Sequence, residues 1–410
     1  MSEAKIPTVM DLTPFNPEFQ ANPHALLDSL REQCPVRHDP GSGSILISNY
    51  ADVRGIVTDL NMWRDPLLAE PGAVMQRRFA DNLIEGVPRS ESTSMLMLDN
   101  PDHARVRGPL MQAFYARVAK CRPEVEQVVD ANLEKLEGRA TFDLMAEFCI
   151  PVPIDVIAVI LGVDHDRLVE FRDWSEGSIQ GLNPFRTAAQ TAHMERSSES
   201  LKTYFLATIA ARRAAPRDDL ISDMTKLQAE GADLSDEELR INLGALLVGG
   251  NLTTTDLIGN AVRLLLTHPE ELAKFRADPG LVKTLVEETL RYEPPVDFTG
   301  RVASRDMEVS GCPVKQTQSM LLMLRGANRD PAAFPEPHRF DISRKGAPHM
   351  AFGGGAHICI GAPLARLEAQ VALTRLFARF PTLRLADPDV PAVWRTLPFF
   401  RGLEHLNLAV

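Results

Sequence analysis

One segment restricts the fold of this chain more than any other. "DLSDEELRINLGALLVGGNLTTTDLIGNAVRLLLTHPEE" predicts a single helix that opens on a Ser235–Glu238 capping box and ends near Thr267, where Pro269 starts the next helix. It spans about 32 residues, roughly 48 Å at 1.5 Å per residue. Its middle is apolar around most of the circumference, so the helix must be buried. Yet the centre holds Gly249, Gly250, Asn251 and three threonines. A mid-helix glycine costs about 1 kcal/mol relative to alanine, and threonine hydroxyls bond back to the preceding turn and bend helices. Two explanations stand: close packing against a small-residue face, or a distorted notch that clears room for a flat ligand with oxygen or water. A core able to bury such a helix is available in 410 residues, 44% of them hydrophobic.

Helical periodicity dominates elsewhere too. Amphipathic segments run from Asn22 to Gln33, Asp102 to Val118, Glu124 to Leu136, Pro153 to Gly162, His193 to Arg213 and Pro363 to Phe380. Short β pieces are predicted at "PVRHD" and "SILIS", flanking the turn at 40–43, and at "RVASRDMEV" and "SMLLML". The 30 prolines are spread without a hinge-like cluster. The expected architecture is mainly α with a small β region, as a single domain over residues 1–410.

A net charge of −11 argues against nucleic acid, because an acidic surface repels phosphate. No apolar run reaches the roughly 18 residues of a membrane span, and "MSEAKIPTVMDLTPFNPEF" lacks the apolar centre of a signal peptide. A cytoplasmic protein without membrane contact is expected. The five cysteines are scattered and never spaced C-x-x-C. That pattern suits neither a disulfide framework nor a zinc or iron–sulfur site. A metal-binding cysteine would act alone.

Cys359 is the candidate. It stands in "HMAFGGGAHICIGAPLARLEAQ", between a glycine run and the first turn of a helix. A G-x-G-x-x-G dinucleotide loop fails because Ile358 occupies the third glycine position, and no Gly-Lys-Ser/Thr of a P-loop is present. Two readings remain. Cys359 is either a small buried hydrophobe at a helix start or an anionic metal ligand. For the second, helix amides and the positive dipole end favour thiolate, a good axial ligand for ferric iron. The glycines at 353, 354 and 355 would then clear the backbone for a planar macrocycle, with Phe352 shielding the sulfur.

"FGGGAHICIG" resembles the haem-binding signature F-G-x-G-x-H-x-C-x-G of the cytochrome P-450 haem-thiolate monooxygenases at every specified position: Phe352, Gly353, Gly355, His357, Cys359 and Gly361. Further motifs follow the family's order. "EETLR" supplies the E-x-x-R pair Glu288 and Arg291, and Arg339 in "FPEPHRFD" resembles the third member of a buried Glu–Arg–Arg network. His103 and Arg107 in "LDNPDHARVRGPL", Arg301 in "TGRVASRD", and His357 are similar to the family's haem-propionate contacts, with His349 as a further candidate. "VGGNLTTT" resembles the oxygen-binding segment, usually Ala-Gly-x-Asp/Glu-Thr. Aligning Gly250 and Thr253 leaves Leu252 at the acid position, and a leucine relays no proton. Either Thr253 steadies bound oxygen while Asn251, backbone groups or water carry protons, or the chemistry has moved toward peroxide.

The resemblance implies a single-domain P-450 fold with haem b between the long central helix and the Cys359 loop. It implies insertion of one oxygen atom from O2 into a hydrophobic small molecule, by hydroxylation or O-dealkylation. A haem-binding sensor or carrier is the non-enzymatic alternative. Electrons are expected from an external 2Fe-2S ferredoxin and its NAD(P)H-dependent reductase, docking on Arg105, Arg107, Arg117, Lys120 and Arg122. By family analogy the substrate segments are 70–96, 176–190, Ala245 to Gly249, Val296 to Thr299 and Leu397 to Phe400. Phe298 and Phe399 would supply packing. The Asp297 carboxylate would meet a polar group of the substrate or lie in solvent. A monomer is expected.

Overall fold

The computed structural model describes residues 6–80 and 85–410. In chain order its longer helices are α1 Pro23–Gln33, α2 Tyr50–Thr58, α3 Asp102–Val118, α4 Arg122–Glu134, α5 Pro151–Leu161 and α6 Leu168–Ser178. They continue as α7 Ala188–Ala214, α8 Leu220–Ala229, α9 Asp236–Thr267, α10 Pro269–Ala277, α11 Val282–Tyr292 and α12 Ala362–Arg379. The strands are short: β1 Val36–Asp39, β2 Ser44–Ile47, β3 Thr141–Asp143, β4 Phe298–Val302, β5 Met307–Val309, β6 Cys312–Val314, β7 Ser319–Met323, β8 Arg384–Leu385 and β9 Asn407–Ala409. The chain is mainly α with small sheets.

Local chemistry sets many helix starts. The Asn22 side chain accepts the His24 N–H ahead of α1, and Asn49 accepts the Asp52 N–H ahead of α2. Thr187 with Gln190 and Ser235 with Glu238 form reciprocal capping boxes on α7 and α9. The long helix therefore begins where its sequence says it should, and it runs unbroken for 32 residues.

Contacts divide the chain into two compact units, each assembled from three chain segments. The first comprises Met1–Leu83, Thr284–Cys359 and Trp394–Arg401; the second comprises Ile84–Lys283, Ile360–Val393 and Gly402–Val410. In the first unit a sheet of order β1-β2-β7-β4 pairs β2 with β7 in parallel and its other neighbours antiparallel. Every residue of β2 and β7 is buried, which explains their uninterrupted apolar runs. Ile45, Ile47, Val53, Met320 and Leu322 form part of that unit's core. In the second unit α9 packs against α5, α6, α7 and α12, and β3, β9 and β8 form a separate small sheet.

Candidate active site

The loop ending at Cys359 is tied to itself. The Gly353 N–H donates to the Met350 carbonyl at 2.8 Å, and the Cys359 N–H to the Phe352 carbonyl at 2.9 Å. Gly353 and Gly355 have φ of 66° and 64°, a region that penalises any Cβ. A Cβ on Gly355 would lie 2.5 Å from the Val57 carbonyl oxygen, and one on Gly354 3.0 Å from Val57 Cγ2. These two glycines serve the packing of the loop on the end of α2, rather than clearing space for a macrocycle. Gly353 meets nothing closer than 4.0 Å. His357 closes a half-buried 3-10 turn, and Gly361 is the N-cap residue of α12.

Cys359 is exposed, and its neighbour Ile358 is 46% exposed. The buried-hydrophobe reading of this cysteine fails on that observation. An exposed soft donor on a loop held by backbone hydrogen bonds, between Ile358 and the half-buried Phe352, fits the thiolate ligand that a haem iron would need.

Beneath the loop the ion network differs from expectation in one member. The Arg291 guanidinium grips Glu288 with both arms, at 2.7 and 2.8 Å. The second arginine on that carboxylate is Arg344, whose Nε donates to Glu288 Oε1 at 3.1 Å. Arg339 contributes only its carbonyl, which accepts from Arg291 and Arg344. Its own side chain is 54% exposed and paired with Glu336. The "FPEPHRFD" segment arches so that Arg339 turns outward, while Arg344 folds back underneath. His349 also departs from expectation: its Nε2 meets Glu287 at 3.1 Å while Nδ1 accepts the Ala351 N–H. It braces the loop, as the Nε2–H tautomer.

Arg301 lies buried on β4, its Nη1 2.8 Å from the Gly300 carbonyl. Arg64 donates to the same carbonyl at 2.5 Å and to the Thr299 hydroxyl. Two guanidinium groups converging on one neutral oxygen form a natural seat for a carboxylate. Arg64, in "NMWRDP", has no periodicity or motif to mark it and escapes sequence reading. In the other unit His103 and Arg107 are both buried, one turn apart on α3.

Within α9, every residue from Asn242 to Val262 is buried except Ala245, Gly249, Gly250 and Thr253. Three of these, at 245, 249 and 253, follow the i, i+4 row that runs along one helix face. The Thr253 hydroxyl donates to the Gly249 carbonyl at 2.9 Å. A Cβ on Gly250 would sit 3.2 Å from Ile157 of α5, whereas one on Gly249 would meet nothing within 4 Å. Gly250 thus answers to helix packing and Gly249 to cleared space, and no break in the helix is needed for either. Asn251 lies about 200° around the helix from Thr253. Its buried Oδ1 accepts from Arg172 of α6 at 2.9 Å, so its amide belongs to helix packing and not to the Thr253 face. Leu252 is 3% exposed.

Two other expectations are corrected. Asp297 meets neither solvent nor a pocket: it is buried, accepting from Arg325 Nε at 2.5 Å. Arg325 also reaches Glu293, which in turn accepts from Arg401. Burial opposes ionisation of Glu293, yet Arg325 and Arg401 hold it below the usual carboxylate range. The backbone beside this network pairs Val296 with Phe400, and the Phe298 and Phe399 rings meet at 4.1 Å. The proposed cationic patch is largely neutralised as well. Arg105 is held by Glu238 and Asp102, Arg117 by Asp223 and Asp218, and Arg122 by Glu126, while Arg107 is buried. Of the 70–96 segment, residues 81–84 lie outside the described residues.

The Cytochrome P450 family profile matches residues 66–392. Cytochrome P450 107B1 of Saccharopolyspora erythraea is 38% identical over 404 residues, covering 97% of both chains. The 6-deoxyerythronolide B hydroxylase of the same organism is 35% identical, covering 97% of this chain and 98% of its own. Among solved structures, P450BioI in complex with an acyl carrier protein ligated to hexadec-9Z-enoic acid matches with a TM-score of 0.86. Its identity is 32%, over 96% of this chain and 100% of that one. The chain belongs to the cytochrome P-450 family. It is an oxidoreductase, a haem-thiolate monooxygenase that uses haem b. Among the described residues no helix is long and apolar enough to cross a membrane.

Proposed function

We propose that this monooxygenase hydroxylates or O-dealkylates a hydrophobic small molecule that lies along the Ala245–Gly249–Thr253 face of α9. That face carries the reading: from Asn242 to Val262 only its three residues and Gly250, which packs near Ile157, are not buried, and it offers methyl, hydrogen and hydroxyl in succession. In the other unit, Val296, Phe298 and Phe399 are the candidate apolar substrate contacts, and Asp297, held by Arg325, takes no part. The names of similar proteins support the reading, one being a 6-deoxyerythronolide B hydroxylase and the other a complex with hexadec-9Z-enoic acid carried on an acyl carrier protein.

Cys359 would hold the haem iron, and Arg64, Arg301 and His357 of its unit, with His103 and Arg107 of the other, would serve as cationic or donor partners for the propionates. Haem bound there would supply the activation of O2, one atom of which would enter a C–H bond and the other leave as water, with two electrons and two protons consumed. The Thr253 hydroxyl donates its hydrogen bond to the Gly249 carbonyl, so its oxygen lone pairs remain to accept one from water. With Leu252 apolar and Asn251 on the far side, water along the open face carries protons to Thr253. Electrons come from a separate 2Fe-2S ferredoxin and its NAD(P)H-dependent reductase, and all 410 residues act as one monomeric cytoplasmic P-450 domain.

The test is a panel of long-chain acids, steroids and macrolide aglycones, scored for the low- to high-spin optical shift. Hits are followed by product analysis with ferredoxin, reductase and NADH, and separately with hydrogen peroxide. A shift confined to hydrophobic members, with a hydroxylated or dealkylated product under NADH, supports the proposal. Product with peroxide alone would overturn the electron route, and shifts by polar compounds only would overturn the substrate class.

A further inference from the structure

The two prolines of "YEPPVD" have no N–H to offer a sheet ladder, and their buried carbonyls still need donors. Both are met by arginine residues. Arg325 Nη2 donates to the Pro294 carbonyl at 2.5 Å, and the Arg401 backbone N–H donates to the Pro295 carbonyl at 2.9 Å. The same Arg325 guanidinium reaches Asp297 through Nε and Glu293 through Nη1, so one fully buried fork takes three acceptors from residues 293–297. Arg401 adds a second tie. Its Nε donates to Glu293 at 3.1 Å and its Nη1 to the Gln20 carbonyl at 2.9 Å, with the guanidinium 3.7 Å from the Trp394 ring. All of these residues belong to one compact unit.

Glu293, Asp297, Arg325 and Arg401 are each at most 6% exposed, and their charges balance. A buried set of this kind adds little stability over well-packed apolar side chains; what it fixes is the register of the segments it joins. Two segments are joined. The Asp297 N–H donates to the Phe399 carbonyl at 2.9 Å, and Val296 pairs with Phe400. Phe399 has a φ of 75° and is the only buried non-glycine residue with positive φ among the described residues. A bulky side chain keeps that conformation only where its surroundings impose it. Its ring meets the half-buried Phe298 edge-on, with centroids 4.1 Å apart.

We propose that Arg325 is a positioning residue for ligand selection, holding the Phe298–Phe399 pair as a rigid wall that favours slim, flexible apolar ligands over bulky, rigid ones. It fixes residues 293–297 directly, and the turn at Phe399 through Glu293 and Arg401. The proposal rests on the reading above that Phe298 and Phe399 contact the substrate; Arg325 itself is wholly enclosed and acts only through them. A flexible chain adapts to a fixed wall as readily as to a yielding one. A rigid, bulky ligand gains when the wall gives.

The test uses the haem-loaded enzyme and two azoles, 1-dodecylimidazole and the triaryl compound clotrimazole, with dissociation constants read from the Soret shift and imidazole as reference. Arg325→Lys keeps the charge but replaces the planar fork by a single ammonium. It should lower the ratio of the clotrimazole constant to the dodecylimidazole constant about fivefold, with the imidazole constant within about twofold of the parent. The carbon monoxide difference spectrum should match the parent. Arg401→Lys loosens the second tie alone and should shift the ratio the same way by about twofold or more; it carries the test if the Arg325 variant does not fold. Arg212→Lys, the same change at the buried Arg212–Asp219 pair of α7, should leave the ratio unchanged. With Phe298→Leu and Phe399→Leu in place, the Arg325 substitution should no longer act. An unchanged or raised ratio in the folded lysine variant, an equal fall in the Arg212 control, or a full effect in the leucine background overturns the positioning role. A leucine pair that leaves both azole constants at the parent values, or azoles that bind no tighter than imidazole, overturns the contact reading itself and the proposal with it.

Discussion

The carboxylate of Glu288 accepts four hydrogen bonds: two from Arg291, one from Arg344 and one from the Asp341 N–H at 2.9 Å. Glu288→Ala removes the acceptor and leaves two arginines facing each other, one of them fully enclosed. Breaking a buried pair in this way costs about 3–5 kcal/mol, set against a total of roughly 5–15 kcal/mol for a whole domain. At about 4 kcal/mol the unfolded population rises nearly a thousandfold, since 1.36 kcal/mol is a factor of ten. The sharper comparison is between the two later arginines. Arg344, 15% exposed, donates to Glu288 and to three carbonyls, so Arg344→Ala should cost about 1.5–3 kcal/mol. Arg339→Ala deletes only an exposed side chain and should stay within about 0.5 kcal/mol. Haem content per chain and urea unfolding midpoints for the three variants provide the assay. An Arg339→Ala protein as unstable as Arg344→Ala, or a neutral Glu288→Ala, would refute the assignment.

Three further outcomes follow from the geometry. Gly355→Ala should destabilise the Cys359 loop more than Gly353→Ala, because both incur the left-handed penalty of about 1–2 kcal/mol but only the first also strikes the Val57 carbonyl; equal loss of haem retention in the two would count against the packing role. Thr253→Ala should lower product formed per NADH while leaving the substrate spin shift in place, and Leu252→Glu should raise that ratio; an unchanged ratio in both removes Thr253 from proton handling. His24 is buried beside Arg329, which donates to its Nε2 at 3.0 Å, and burial first, then Arg329, holds its pKa well below 6.5. The unfolded chain therefore takes up a proton that the folded one refuses. Stability is full above pH 6.5 and falls by about 1.4 kcal/mol per unit below it, until the folded pKa is reached. His24→Gln should flatten that slope in chemical denaturation at stepped pH, and an identical slope would exclude the histidine as its source.

Features that depend on neighbours in sequence were legible. The ends of α9 followed from Ser235, Glu238 and Pro269, and the family from ten consecutive residues. Features that depend on distant partners were not. Nothing local tells Asp297 that Arg325 will close over it, or Arg344 rather than Arg339 that Glu288 lies beneath. The neutralised arginines of α3 show the same limit, since Arg117 meets Asp223 of α8, 106 positions away. Helix α6 carries charged residues on both flanks of a thin apolar row, and its pattern is weak for that reason. It gains definition from packing on α7 and α9.

The pairing of β2 with β7 has a consequence for synthesis. Ser44 meets Ser319 across 275 intervening steps of chain. At about 5–20 residues added per second, roughly 15–55 s separate the emergence of the two strands from the ribosome. Through that interval the apolar β2 segment lacks the strand that pairs its other edge in the folded chain, and an isolated pair of four-residue strands is marginally stable at best, an exposure that a holdase chaperone is suited to cover.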